Sequence, residues 1–267
     1  MRKIDEKTIV AGILVTLMIG MALGSFIDMG GEEPDNDVVY QYATIGSLMQ
    51  GMFDGGLTVG ELKGYGDFGL GTFNTLDGEM VELDGTVYKV DYTGVASAMD
   101  DETLSPFAYV TYFDVDSALE VDEPIGLADL QALIEDNLPS RNLIYAIRID
   151  GEFSYMKTRS PRPQEQPYPT LVEALEDQSV FELQDIGGTV VGFWNPTFLE
   201  GLNVSGYHLH FIDDARETGG HILDLMLNAG TVYIDYSYGI DVEMPTNGGY
   251  LEMDLGGGTD DIDKVEK

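Results

Sequence analysis

All three histidines of the 267-residue chain fall in one stretch, "SGYHLHFIDDARETGGH", Ser205 to His221. His208 and His210 are two residues apart, which in a strand places both imidazoles on one face, with Leu209 and Phe211 on the other. "DDARETGG" reads as a turn, so an antiparallel return brings His221 beside the first pair. Three neutral ring nitrogens converging on one point make a metal site. Because a structural zinc site is normally closed by four protein ligands, a three-histidine site leaves positions for water or substrate and so points to catalysis. Asp213, Asp214 and Glu217 are candidates for a further ligand, although acidic residues are ordinary in a polar turn. Zinc is the first expectation for the metal, with iron, manganese and copper left open by ligand type. Cysteine is absent, which removes thiolate ligands, thiol nucleophiles and disulfides together.

The elements that must hold these histidines are read from apolar periodicity and turn residues. Thr44 caps a helix with an apolar stripe of Ile45, Leu48, Met49, Met52 and Phe53, stopped by Asp54-Gly55-Gly56. Thr58 and Glu61 form a capping box. "YGDFGLGTFNTLDGEMVELDGTVYKV" reads as a glycine-punctuated meander with turns at Asp77-Gly78 and Asp84-Gly85. No lysine or helix start follows "GYGDFGLG", so a nucleotide-binding loop is the weaker reading there. "FAYVTYFDV" is a strand, and "IGLADLQALIEDNL" is an amphipathic helix. "NLIYAIRIDGEFSYMKTR" is expected to be a hairpin turning at Asp150-Gly151. "SPRPQEQPYP", with four prolines, interrupts both helix and strand, and Thr170 with Glu173 caps the helix that follows it. Four strands are expected beyond: "GGTVVGFW", "LNVSGYHLHFI", "HILDLML" and "TVYIDYSY". The fold class is mixed α/β of the α+β kind, two sheet-containing halves with largely antiparallel strands and a few short helices. The expected divisions are an N-terminal α/β domain over 38–160 and a β-rich, metal-binding C-terminal domain over 161–267.

Forty-eight acidic residues against thirteen basic ones give a formal charge of −35. A surface of that sign repels phosphate backbones, which excludes nucleic acid as a partner. It reads as a strongly hydrated face whose self-repulsion is screened by salt. The N-terminus has the layout of a targeting segment over 1–29, followed by an acidic linker over 30–37. Arg2, Lys3 and Lys7 precede the apolar run from Thr8 to Ile27, and acidic residues follow it. This run is a membrane tether over residues 8–27 or a cleaved signal peptide ending at Ala22-Leu23-Gly24. In either case the rest of the chain is placed outside the cytoplasm, secreted or at the outer face of the membrane.

The residues around the histidines carry more than spacing does. "SGYHLHFID" with "GGH", "YGDFGLGTFNTLDGE", "SPFAYVTYF", "LPSRNLIYAIRIDGEF" and "KTRSPRPQEQPY" resemble, in order, the α-acetolactate decarboxylase family. The resemblance runs from about Val38 to the C-terminal tail. It implies a metal-dependent lyase that converts 2-hydroxy-2-methyl-3-oxobutanoate to (R)-acetoin and carbon dioxide, and a homodimer. It implies zinc held by His208, His210 and His221, with Glu79 and Arg159 as catalytic residues. Arg159 also binds the carboxylate of this small-molecule substrate. Glu266 matches the tail glutamate, with Asp263 as its competitor, and Thr72 is a candidate to hydrogen-bond substrate. Arg141, Arg148 and Arg162 are rivals to Arg159 by proximity in sequence.

Overall fold

A computed structural model describes residues 36–246, 248–255 and 262. The expected targeting segment, Asp263 and Glu266 lie outside the described residues. In chain order the strands are β1 (Val38–Tyr42), β2 (Leu57–Thr58), β3 (Phe68–Thr72), β4 (Glu79–Leu83), β5 (Thr86–Val90), β6 (Ala96–Ala98), β7 (Leu104–Ser105) and β8 (Phe107–Thr111). They continue as β9 (Ser117–Val121), β10 (Ile125–Gly126), β11 (Ile144–Ser160), β12 (Ser179–Asn195), β13 (Gly206–Asp213), β14 (Gly219–Ser237) and β15 (Gly239–Glu243). The α-helices are α1 (Ile45–Met49), α2 (Val59–Leu62), α3 (Leu127–Asn137), α4 (Leu171–Ala174) and α5 (Gly248–Glu252). None of the described helices is long and apolar enough to cross a membrane.

Two sheets carry the fold. The first runs β15-β1-β8-β3-β4-β5-β6 and is antiparallel except for the β15–β1 pair. In the second, β14, β11, β12 and β13 pair in turn and β13 pairs back to β14, so this ladder closes on itself; β9 and β10 add to β14. One core cluster contains Val81, Leu83, Tyr109, Ala146, Val191 and Ile212, side chains from both sheets. A second gathers Ile147, Phe153, Leu209, Phe211 and Ile234 of the closed ladder with Leu130 and Ile134 of α3. Burial of these apolar faces is the main stabilising term.

Local signals are present where they were expected. Thr44, Thr58 and Thr170 each make a capping box. Asp84 and Gly85 both take positive φ, 51° and 72°, in the two-residue turn from β4 to β5. α1 ends sooner than its apolar stripe, because Gly51 at φ 85° turns the chain against the Pro169 carbonyl.

One expected turn is not a turn, and two strands expected to be separate, "HILDLML" and "TVYIDYSY", are one. Asp150-Gly151 lies inside the 17-residue strand β11, and Asn228-Ala229-Gly230 lies inside the 19-residue strand β14. Gly151 stands opposite both Gly188 and Gly230 in the adjacent strands. A Cβ on Gly151 would come 2.7 Å from the Ala229 carbonyl. These glycines serve close backbone approach within a bent sheet. Asp150 stays in the ladder because its carboxylate accepts from Arg148 Nε at 2.9 Å and Thr189 Oγ1 at 2.8 Å.

The proline-rich segment also plays a different part from the one expected. It connects β11 to β12, antiparallel neighbours paired from Tyr145–Trp194 to Ser160–Ser179, so 160/161 does not divide one sheet from the other. β15, near the chain's end, pairs with β1, and the described residues cluster as one unit.

Thirteen basic residues cannot neutralise forty-eight acidic ones, and the basic groups that form pairs sit mostly near the surface. Uncompensated repulsion then opposes folding, and salt relieves it. The thermal midpoint is expected to rise by more than about 5 °C between about 0.1 M and about 2 M KCl. Circular dichroism melts check this, and a midpoint that stays flat or falls contradicts it.

β4 holds a second buried carboxyl, Glu82, on the face that carries Met80 and packs against Val59, Leu62 and Val110. It is fully buried and neither oxygen has a hydrogen-bond partner. Burial pushes its pKa up to about 8, with Asp67 adding to the rise and Lys63 opposing it. The folded chain therefore holds this proton more tightly than the unfolded chain. Its stabilising effect is complete below the ordinary glutamate range and is lost as pH rises toward about 8. Glu82→Gln should flatten the fall in thermal midpoint between about pH 5 and about pH 8.5. An equal fall in both proteins would show that Glu82 is not the group responsible.

Candidate active site

β13 presents His208 and His210 into the seam between the two sheets, and Leu209 and Phe211 point into the closed ladder. The chain turns at Asp213–Thr218, and His221 returns on β14 directly opposite His210. On the other side of β14, Arg159 of β11 is directly opposite His221. His210, His221 and Arg159 thus occupy one row across three strands. A register shift between Lys157 and Thr158 precedes the Arg159–His221 pair.

The three imidazoles are buried, at 5%, 0% and 1% exposure for His208, His210 and His221. Their ring centroids are 5.1–5.3 Å apart, and one ligand atom from each lies within 4.8 Å of the others. His210 Nδ1 is 2.7 Å from the Met80 carbonyl. Donation from Nδ1 to that carbonyl leaves Nε2 as the lone-pair nitrogen. Nε2 is buried and has no hydrogen-bond partner. Burial lowers all three pKa values, that of His210 to about 3; His208 is lowered further by His210 and then Arg159, and His221 by Arg159 and then the other two histidines. Neutral imidazoles packed together with a bare inward nitrogen fit a nitrogen-ligated divalent ion. Asp213 is not in the cluster: its carboxylate accepts from the Glu217 and Thr218 amides and shapes the turn. Asp214 and Glu217 are likewise absent from the cluster.

The opposite sheet supplies a carboxylate. β4 places Glu79 across from Thr72 on β3 and Val90 on β5. Its Oε1 is 3.5 Å from Arg159 Nη1 and its Oε2 is 3.5 Å from His210 Nε2. Arg159 is 3% exposed and Glu79 7%. The rival arginines lie on the outside and pair with acids: Arg141 with Glu135, Arg148 with Asp84 and Asp150, Arg162 with Asp177. A small cavity opens over this group, lined by Thr72, Glu79, Arg159 and His208 on its polar side. Leu48, Leu76, Phe107 and Leu175 form part of its apolar wall. Thr72 donates its hydroxyl to the Gly78 carbonyl at 2.7 Å and so fixes the turn that delivers Glu79. That bond, and the one from His210 to Met80, had no counterpart in sequence spacing, because both join a strand to backbone.

Neutral imidazoles, a buried arginine and a buried carboxylate around one cavity, at the seam of two largely antiparallel sheets, are the parts of an enzyme whose three-histidine group could hold a metal ion. The family model for alpha-acetolactate decarboxylase matches residues 39–257. An alpha-acetolactate decarboxylase of Methanosarcina mazei is 45% identical over 87% of this chain and 81% of its own length. One of Bacillus subtilis is 39% identical over 86% of this chain and 90% of its own. The crystal structure of alpha-acetolactate decarboxylase from Bacillus subtilis strain 168 superposes with a TM-score of 0.84 at 40% identity, covering 86% of this chain and 99% of that one. The chain belongs to the alpha-acetolactate decarboxylase family.

Proposed function

We propose that this chain decarboxylates 2-acetolactate to (R)-acetoin and carbon dioxide, with one zinc ion held by His208, His210 and His221. The observation that carries the reading is the buried Glu79–Arg159 pair, 3.5 Å apart, beside three imidazoles that burial keeps neutral. When bound there, zinc supplies Lewis-acid stabilisation of the negative charge that develops on the substrate oxygens as carbon dioxide leaves.

The chain's own groups do the rest. Arg159 offers a planar fork to the substrate carboxylate, and its burial strengthens that contact over one in water. In a molecule of charge −35 this local cation is what holds an anionic substrate. Thr72 keeps lone pairs toward the cavity while its proton is committed to Gly78, so it accepts from the substrate hydroxyl. The apolar wall receives the two methyl groups and keeps out water. Breaking the carbon–carbon bond leaves its electron pair on the substrate; Glu79, having taken up one proton from solvent in each turnover, delivers it to the carbon that lost the carboxylate and is left as a carboxylate. Delivery from one side gives one enantiomer. Glu266, with Asp263 as its competitor, is proposed as a further carboxylate of the site, supported by family resemblance alone. Action outside the cytoplasm and a homodimer complete the reading, the first supported by the basic–apolar–acidic N-terminus and the second by family resemblance.

Metal analysis of purified protein paired with an acetoin assay tests the proposal. Chelation is expected to stop acetoin formation and zinc to restore it. Protein holding one equivalent of zinc that yields no acetoin would overturn it.

A further inference from the structure

Arg159 stands between two fully buried hydroxyls, Thr158 and Ser160. Each donates to a backbone carbonyl on a different part of the site. Thr158 Oγ1 reaches the Gly219 carbonyl at 2.8 Å, on β14 two residues before His221. Ser160 Oγ reaches the Val90 carbonyl at 2.8 Å, and Val90 is the cross-strand partner of Glu79. One hydroxyl therefore ties the arginine's strand to a histidine's strand, and the other ties it to the strand pair that carries the glutamate.

We propose that Thr158 and Ser160 are positioning residues for the decarboxylation, a two-hydroxyl clasp that holds Arg159 in register with His221 on one side and Glu79 on the other. The proposal rests on the reading of Glu79, Arg159 and the histidines as the catalytic centre. The ladder does this work on one side only, where it pairs Arg159 with His221. β5 and β11 belong to different sheets and are not ladder partners, so Ser160 bridges a seam where strand pairing is absent. On the other side, Arg159 and His221 are ladder partners at the end of β11–β14 pairing just past the shift between Lys157 and Thr158, and the Thr158 hydroxyl adds a side-chain tie to that short paired end.

Both contacts also sit where backbones approach closely. Gly220 takes φ 127°, and a Cβ there would lie 2.5 Å from the Arg159 carbonyl. Gly78 takes φ 90°, and a Cβ there would lie 2.4 Å from the Val90 carbonyl. Two glycines remove bulk next to the very carbonyls and strand that the hydroxyls fasten. A buried Ser or Thr that only satisfies its own polar group would affect stability alone. A clasp of this kind also affects the reacting geometry, where a displacement of about 1 Å can cost about a hundredfold in rate.

The test uses full-length protein loaded with zinc for kinetics and with Co(II) for spectroscopy. Ser160→Ala is expected to lower kcat by about tenfold or more, with the visible spectrum of the Co(II) protein unchanged. Thr158→Val is expected to weaken Co(II) binding by about tenfold or more and to shift that spectrum, through movement of His221. Thr158→Ser and Ser160→Thr, which keep the donor, should restore wild-type kcat and Co(II) binding. If Ser160→Ala fails to fold, Ser160→Cys, with a weaker donor in a similar volume, carries the same expectation. If Thr158→Val fails to fold, Thr158→Ala does. Folded donor-less variants with kcat, Co(II) affinity and spectrum all within about twofold of wild type would overturn the clasp. So would donor-keeping variants that lose as much as the donor-less ones. A wild-type protein that makes no acetoin refutes the assigned reaction instead, and the Co(II) measurements still judge the clasp.

Discussion

His210→Ala is expected to weaken metal binding by more than about a hundredfold and to take acetoin formation to background. The side chain is fully buried, and its two nitrogens have separate tasks. Nδ1 meets the Met80 carbonyl at 2.7 Å, which fixes the ring, and Nε2 faces Glu79 and the other imidazoles. Alanine removes one of three nitrogen donors and also strands the Met80 carbonyl. Loss of an outer partner of a metal ligand alone costs about 10- to 100-fold in affinity, so loss of the ligand itself costs more. Competition against a chromophoric chelator reads the affinity directly. A variant that binds zinc within about tenfold of wild type would contradict this role for His210. Leu209→Ala is the control, because its side chain points into the other core. It should lower stability by about 2–5 kcal/mol and leave metal affinity intact.

The contrast between His210 and Leu209 was legible in sequence because strand periodicity is local. Two residues of spacing decide the face, and no distant contact can change that. The capping boxes at Thr44, Thr58 and Thr170 were legible for the same reason: donor and acceptor lie within three residues. Asp150-Gly151 was misleading because glycine answers two different needs. At Gly85 it permits a positive φ in a turn, and at Gly151 it permits the approach of Gly188 and Gly230. Choosing between these requires knowing which distant strands lie alongside. The pairing of β15 with β1 is likewise a long-range event that apolar patterning does not encode, and it cuts across the expected halves.

Arginine selection shows the same division at the level of the site. Arg148 and Arg159 both sit on β11, and composition does not distinguish them. Arg148 meets Asp84 and Asp150 near the surface, whereas Arg159 is buried beside Glu79 and opposite His221. What separates them is the neighbour across the seam, Glu79, eighty residues before Arg159 in sequence. Family resemblance identified Arg159, and strand register supplies the physical reason. Glu82 had a local signal: two glutamates in the five-residue strand "EMVEL" cannot share a face, so a fully buried strand must bury one on each side.

Glu79→Gln is expected to lower kcat by about 10²- to 10⁴-fold while zinc stays bound and KM changes little. Glutamine has the same shape and keeps a polar end between Arg159 Nη1 and His210 Nε2, each 3.5 Å from the native carboxylate. Substrate contacts made by Arg159 and Thr72 are retained, so ground-state binding is preserved. What is lost is a group able to deliver a proton at the moment the carbon–carbon bond breaks. The residual product should also lose enantiomeric purity, because water can protonate either face once the positioned carboxyl is gone. Chiral chromatography of the acetoin reads this independently of rate. Arg159→Lys should show the opposite split, raising KM more than it lowers kcat, since the charge survives and the two-pronged carboxylate contact does not. If Glu79→Gln keeps kcat within about tenfold of wild type and gives acetoin of undiminished purity, the proton comes from another group.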